Sequence, residues 1–182
     1  MAHTFALPIC LQESRWQYDM DKYIFIDESG DPQFYAKGRR PLWIKPDFVP
    51  VMFLGMITTD NRVTLRKAIL DFQTRILSDP LLNSIYSVAK PNWYLHGSAD
   101  HSDINLKTVE FIRELEGFDF HAVIGRKLPE VFFSKHNGNA TEFYFDLLSK
   151  LLELDALETD CKYHLYLSQR HSNTEQRFSA AF

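Results

Sequence analysis

The sequence predicts an α/β domain, a mixed sheet with helices on both faces, and three observations carry that prediction. Short apolar, β-branched and aromatic runs alternate with segments whose apolar residues recur at helical spacing, the order from which layered α/β folds are built. One run, Tyr23-Ile24-Phe25-Ile26, is apolar without interruption, as suits a central strand covered on both faces. A hydrophobic content of 45% over 182 residues is enough for one globular core.

Residues 1–22, of mixed polarity with Trp16 and Tyr18, read as an N-terminal arm ahead of a single domain over 23–182. The first strand runs into Asp27-Glu28-Ser29-Gly30-Asp31-Pro32, acids followed by turn formers. Side chains alternate along a strand, so Asp27 shares a face with Phe25 and Tyr23 while Glu28 follows Ile26. The carboxylates there are either a site at the carboxyl end of a central strand or caps on the amides of a solvated turn. Residues 33–47 carry Lys37, Arg39, Arg40 and Lys45 among Tyr35 and Trp43. Cations for phosphate and rings for stacking are the chemistry of a nucleic-acid contact. The blander reading is a solvated hairpin loop whose rings tuck into the core.

Residues 49–58 read as a second buried strand, antiparallel beside the first, with Gly55 marking a bulge or a close approach. Asp60 or Asn61 caps a helix through Leu65, Ile69, Phe72 and Ile76 that Asp79-Pro80 ends. A turn-rich stretch leads to a short edge strand, Trp93-Tyr94-Leu95-His96, and then to Asp100, His101 and Asp103, a group able in composition to bind a divalent metal but matching no zinc spacing. Ser102 or Asp103, with Asp103 preferred, caps the next helix through Leu106, Val109, Phe111, Ile112 and Leu115. In the strand over 118–126, Phe118, Phe120, Ala122 and Ile124 share one face and His121 and Val123 the other. Asn139 with Glu142 forms a capping box for a helix striped by Phe143, Leu147, Leu148, Leu151 and Leu152. A strand over 162–170 follows. Ser172 with Glu175 then opens a last helix, whose Phe178 and Phe182 call for cover by a protein partner or a second copy of the chain.

A net charge of −4 gives no global attraction to nucleic acid, so such a partner needs a local basic patch or bridging metal ions. Cys10 and Cys161 make no disulfide framework and suggest a reducing compartment. No run is long enough for a membrane span and the start lacks a basic leader, so the cytoplasm is the expected location.

The run Tyr23-Ile24-Phe25-Ile26-Asp27-Glu28-Ser29-Gly30-Asp31 resembles the signature opening of the prokaryotic family called domain of unknown function 3800. The resemblance implies a ribonuclease H-like mixed sheet and a metal-dependent nuclease or phosphodiesterase using Mg²⁺ or Mn²⁺. Asp27 would be the anchoring ligand, Glu28 or Asp31 would assist, and His96 or Asp100 would complete the site or shuttle protons. His96 matches the place where, in that family, a short strand ending in His follows the first helix. The chain also departs from the pattern. Two-ion chemistry needs several converging carboxylates, yet the strands ending near Arg126 and at Ser168 carry no acid there. Family members continue into a helical segment with a further Asp, so the resemblance makes the chain a fragment, a split subunit or a shortened member. The alternative is a catalytically silent binding or scaffold subunit, holding nucleic acid through Lys37, Arg39, Arg40 and Lys45 or a protein through exposed rings.

Overall fold

The apolar run forms β1 (Met20–Ser29), an interior strand of a four-stranded sheet in the computed structural model, which describes residues 20–155 and 160–168. β1 thus begins inside the stretch read as the arm. Trp16, Tyr18, Cys10 and the helix expected from Ser172, with Phe178 and Phe182, lie outside the described residues. A small hairpin of β2 (Tyr35–Ala36) and β3 (Arg40–Pro41) comes next, then β4 (Val51–Thr59), α1 (Arg62–Ser78), α2 (Ser102–Glu114), β5 (Asp119–Arg126), α3 (Pro129–His136), α4 (Ala140–Leu152) and β6 (Cys161–Leu167). The sheet order is β5-β4-β1-β6, with β4 antiparallel to both β1 and β5, and β6 parallel to β1. Among the described residues no helix is long and apolar enough to cross a membrane.

Alternation decides what each face does. Ile24 and Ile26 of β1, with Met52, Leu54 and Met56 of β4, pack under Phe143, Leu147, Leu148 and Leu151 of α4. Phe34 and Phe132 stack at 3.8 Å between centroids beside them, fastening the small hairpin to α3. The opposite face, with Tyr23 and Phe25, is only half-buried, and Phe120 and Ile124 on it are 57% and 65% exposed. The expectation of helices on both faces is therefore corrected: among the described residues, helices pack along one face. An unbroken apolar run is equally compatible with a strand that buries one face and lends the other to a cleft.

Residues 60–117 form a helical insert between β4 and β5 with its own core of Phe72, Ile76, Val88 and Ile104. Asn61 caps α1 by accepting the Thr64 N–H at 3.0 Å, as the sequence indicates. At the root of the insert the Thr59 hydroxyl donates to the Gly117 carbonyl at 2.7 Å, so the chain leaves and re-enters the sheet at one point. Three expectations fail here. Residues 93–96 form no strand, because Asp100 pins that segment as a turn. The α2 cap is His101, whose Nδ1 lies 3.3 Å from the Asp103 N–H, leaving Asp103 in the first turn. Leu106, Val109 and Ile112 are exposed, because α2 turns Ile104 and Phe111 inward, the latter stacked on Phe72 at 4.3 Å.

The α3 helix was not foreseen; it is a short element that buries Phe132 and His136, one turn apart. Asn139 caps α4 through the Thr141 N–H, but Glu142 accepts from the Asn137 side chain at 2.9 Å instead of closing the capping box. Asp146 ties α3 to α4, accepting from Lys135 at 2.8 Å and Lys150 at 3.2 Å. Burial pushes its carboxyl up, and the hydrogen bonds from Lys135 and Lys150 outweigh this, so it titrates below the ordinary 3.8. A depressed carboxylate stabilises above its unfolded value and loses that contribution as pH falls through the folded one. Asp146→Asn is expected to lower stability by about 1 kcal/mol or less at neutral pH, since both lysines are half-exposed. Urea denaturation should find that deficit vanishing in acid.

Candidate functional site

On the open face, β1 places Asp27 opposite Gly55 of β4, which in turn faces Ala122 of β5. Small residues in that row leave a depression. An added Cβ at Gly55 would lie 3.2 Å from the Phe53 ring and 3.3 Å from the Phe120 ring, so glycine is what lets both rings lean over it. That close approach, with no break in the ladder, is the meaning of Gly55. The neighbouring row holds Tyr166, Phe25, Ile57 and Phe120, with Phe25 and Tyr166 stacked at 4.9 Å. Together they line a cleft of about 540 Å³ with Asp27 exposed in it.

Asp27 is held from the side. The backbone N–H of Ser168 continues the parallel ladder to the Ile26 carbonyl at 3.0 Å, and its hydroxyl donates to Asp27 Oδ1 at 2.5 Å. The turn beyond β1 is set by a glycine. Gly30 has φ +100°, and an added Cβ would meet the Val51 carbonyl oxygen at 3.0 Å, so only glycine suits the bend. At the far end Arg62, first residue of α1, donates to the Tyr166 hydroxyl at 2.6 Å, with its guanidinium 5.6 Å from the centroids of Tyr23 and Tyr166. Tyr23 stacks on His164 at 4.8 Å, and His164 Nε2 lies 2.8 Å from Asp21.

Of the other acids and bases singled out by sequence, only Glu28 borders this cleft, and its carboxylate is turned away from Asp27. Glu28 faces α4, where the Tyr144 hydroxyl is 3.5 Å from Oε2. Asp31 accepts the Gln33 N–H at 2.8 Å and its charge acts on Lys127. Burial lowers the Lys127 pKa, Asp31 partly opposes this, and the ammonium sits 4.3 Å from the Phe48 ring centroid. Asp100 spends both oxygens inside the insert, on the Trp93 indole N–H at 2.8 Å and the His96 backbone N–H at 2.7 Å. His96 is exposed, with Nδ1 3.3 Å from the Ser98 hydroxyl. Neither His96 nor Asp100 lines the Asp27 cleft. Among the described residues no three His, Cys, Asp or Glu side chains gather as metal ligands.

Lys37, Arg39, Arg40 and Lys45 are all exposed on or beside the small hairpin, while Tyr35 and Trp43 are half-buried and meet edge to face at 5.0 Å. Both rings pack on the core that α3 and α4 share, so these cations sit on the covered side of the sheet. Sequence reasoning missed Ser168, Arg62 and the ring floor. Alternation along β6 puts His164, Tyr166 and Ser168 on one face, and parallel pairing with β1 is what aligns that face with Asp27.

Comparison of the chain with protein families, with curated proteins and with solved structures finds no match.

Proposed function

We propose that the chain is a ribonuclease H-like domain of the domain of unknown function 3800 type, acting as a metal-dependent phosphodiesterase on nucleic acid with Asp27 as its anchoring carboxylate. The observation that carries this reading is Asp27 itself, exposed in a ring-lined cleft on an interior strand and oriented by Ser168. An antiparallel β1-β4-β5 meander, with β6 brought parallel to β1 after α4, supports the fold assignment.

The donor set fits one hard cation better than two. Mg²⁺ keeps most of its water and takes one or two carboxylates plus substrate phosphate oxygens, which Asp27 and a bound phosphodiester supply. A two-ion site needs more carboxylates than the described residues bring to the cleft. Mg²⁺ or Mn²⁺, when bound, supplies Lewis-acid polarisation of a phosphoryl oxygen. Ser168 holds the Asp27 carboxylate in one orientation, and the surrounding rings offer a bound chain apolar surface to pack on.

The shortage of converging carboxylates among the described residues also favours a second reading, a binding subunit that keeps the fold without the chemistry. Incubating the full chain with labelled RNA and DNA, single- and double-stranded, in Mg²⁺ or Mn²⁺ separates the two. Cleavage that chelator abolishes is the expected result. Absence of cleavage under every condition, with binding retained, gives the scaffold reading instead.

A further inference from the structure

We infer that the open sheet face is a track for a single strand of nucleic acid, seating one unpaired base over Gly55 and a phosphate further along the same strand at Arg62. The inference rests on the proposed reading of the Asp27 cleft and names its substrate class. Three features of the face carry it. First, the depression over Gly55 is bordered by the rings of Phe25, Phe53 and Phe120, and about 540 Å³ accommodates a nucleotide-sized group. Phe120 is 57% exposed, a large apolar ring available to a stacking partner.

Second, charge is complementary to a polyanion at one place. Arg62 lies over Tyr23 and Tyr166 and is exposed, so its guanidinium keeps donors for a phosphate after donating once to the Tyr166 hydroxyl. Third, the spacing is that of an extended chain. Tyr23, Phe25 and Asp27 lie on one face at every second residue of β1, so from the Arg62 end to the carboxylate is about 13 Å along the strand. A strand laid from Arg62 past the Phe25–Tyr166 pair brings a phosphodiester to Asp27 with its base over Gly55. Bases paired in a duplex are stacked inside it and cannot enter such a depression, which selects unpaired segments.

The test is binding, measured without catalysis. Fluorescence anisotropy of the full chain carrying Asp27→Asn, in excess chelator so that neither metal nor a repelling carboxylate is present, would compare a labelled single-stranded ten-mer, the same ten-mer in a duplex, an abasic ten-mer with the same phosphates, and a free mononucleotide. The single strand is expected to bind about tenfold or more tighter than any of the other three. Phe120→Ala should lose about tenfold on the single strand and nothing on the abasic chain, with an unchanged melting temperature because the ring is exposed. Arg62→Gln should reduce the slope of log K against log salt by about 0.7, one phosphate's worth on a single strand. Equal binding of the abasic chain, preference for duplex, equal binding of the mononucleotide, or an unaffected Phe120→Ala protein would each overturn the track. Because chelator removes the metal, cleavage can fail while the track stands, and the track can fail while cleavage stands.

Discussion

Asp27→Asn is expected to reduce metal-dependent cleavage by more than about a hundredfold, because losing a group that merely supports a metal ligand already costs 10–100-fold. The substitution keeps size and removes the charge that a dication needs. Folding should be nearly unaffected: Asp27 is exposed, and its hydrogen bond with Ser168 is worth about 1 kcal/mol. Ser168→Ala should fall in the 10–100-fold range, as expected for the residue that orients the carboxylate. Glu28→Gln, on the face turned to α4, should leave cleavage unaltered. Initial rates on a labelled oligonucleotide, together with thermal melts, measure all three. Full activity of Asp27→Asn in the presence of metal would remove the cleft from the chemistry.

A large stability effect is expected on the covered face, where Gly125 meets Leu147. A Cβ there would lie 2.5 and 2.7 Å from the two Leu147 methyls and 3.0 Å from the Phe143 ring. Those atoms belong to flexible side chains, but both residues are buried and have nowhere to move. Gly125→Val should therefore destabilise by about 3 kcal/mol, the upper range for overpacking. Leu147→Ala alone should cost about 2–5 kcal/mol through the cavity it leaves. Combined as Gly125→Val with Leu147→Ala, the new side chain fills the space the old one vacated, so the double variant should be more stable than the sum of the singles predicts. Chemical denaturation of the four proteins closes the cycle; strict additivity would mean that Gly125 and Leu147 do not share that space.

Legibility in the sequence followed burial on the covered face. The β1–β4 pair, the Asn61 cap and the Phe143-Leu147-Leu148-Leu151 stripe were readable because propensity, pattern and packing agree there. Alternation also sorted Phe120 and Ile124 from His121 and Val123 correctly. It could not say which of the two faces meets a helix, since an apolar face looks the same whether it is covered or open to a ligand. Within the candidate site only Asp27, Glu28 and Gly55 stood out. Asp100 carries the same functional group as Asp27, and only the fold reveals that its oxygens are consumed by the Trp93 and His96 donors. Ser168 is invisible until β6 is known to run parallel to β1, because a serine at a strand end is ordinary.

The helical insert has a consequence for the order in which the chain folds. β4 and β5 pair like the arms of a hairpin, yet residues 60–118 separate them. Closing so long a loop from an unfolded chain costs about 2 kcal/mol more than closing a four-residue turn, at about 0.6 kcal/mol per doubling. Once Phe72, Ile76, Val88 and Ile104 have collapsed and Thr59 has met Gly117, the two ends of that loop are already side by side. The sheet then zips as though the turn were short. The insert is thus expected to act as a clasp: its core contacts span shorter stretches of chain than the β4–β5 pairing and should form first, with the pairing that sets Gly55 opposite Ala122 following.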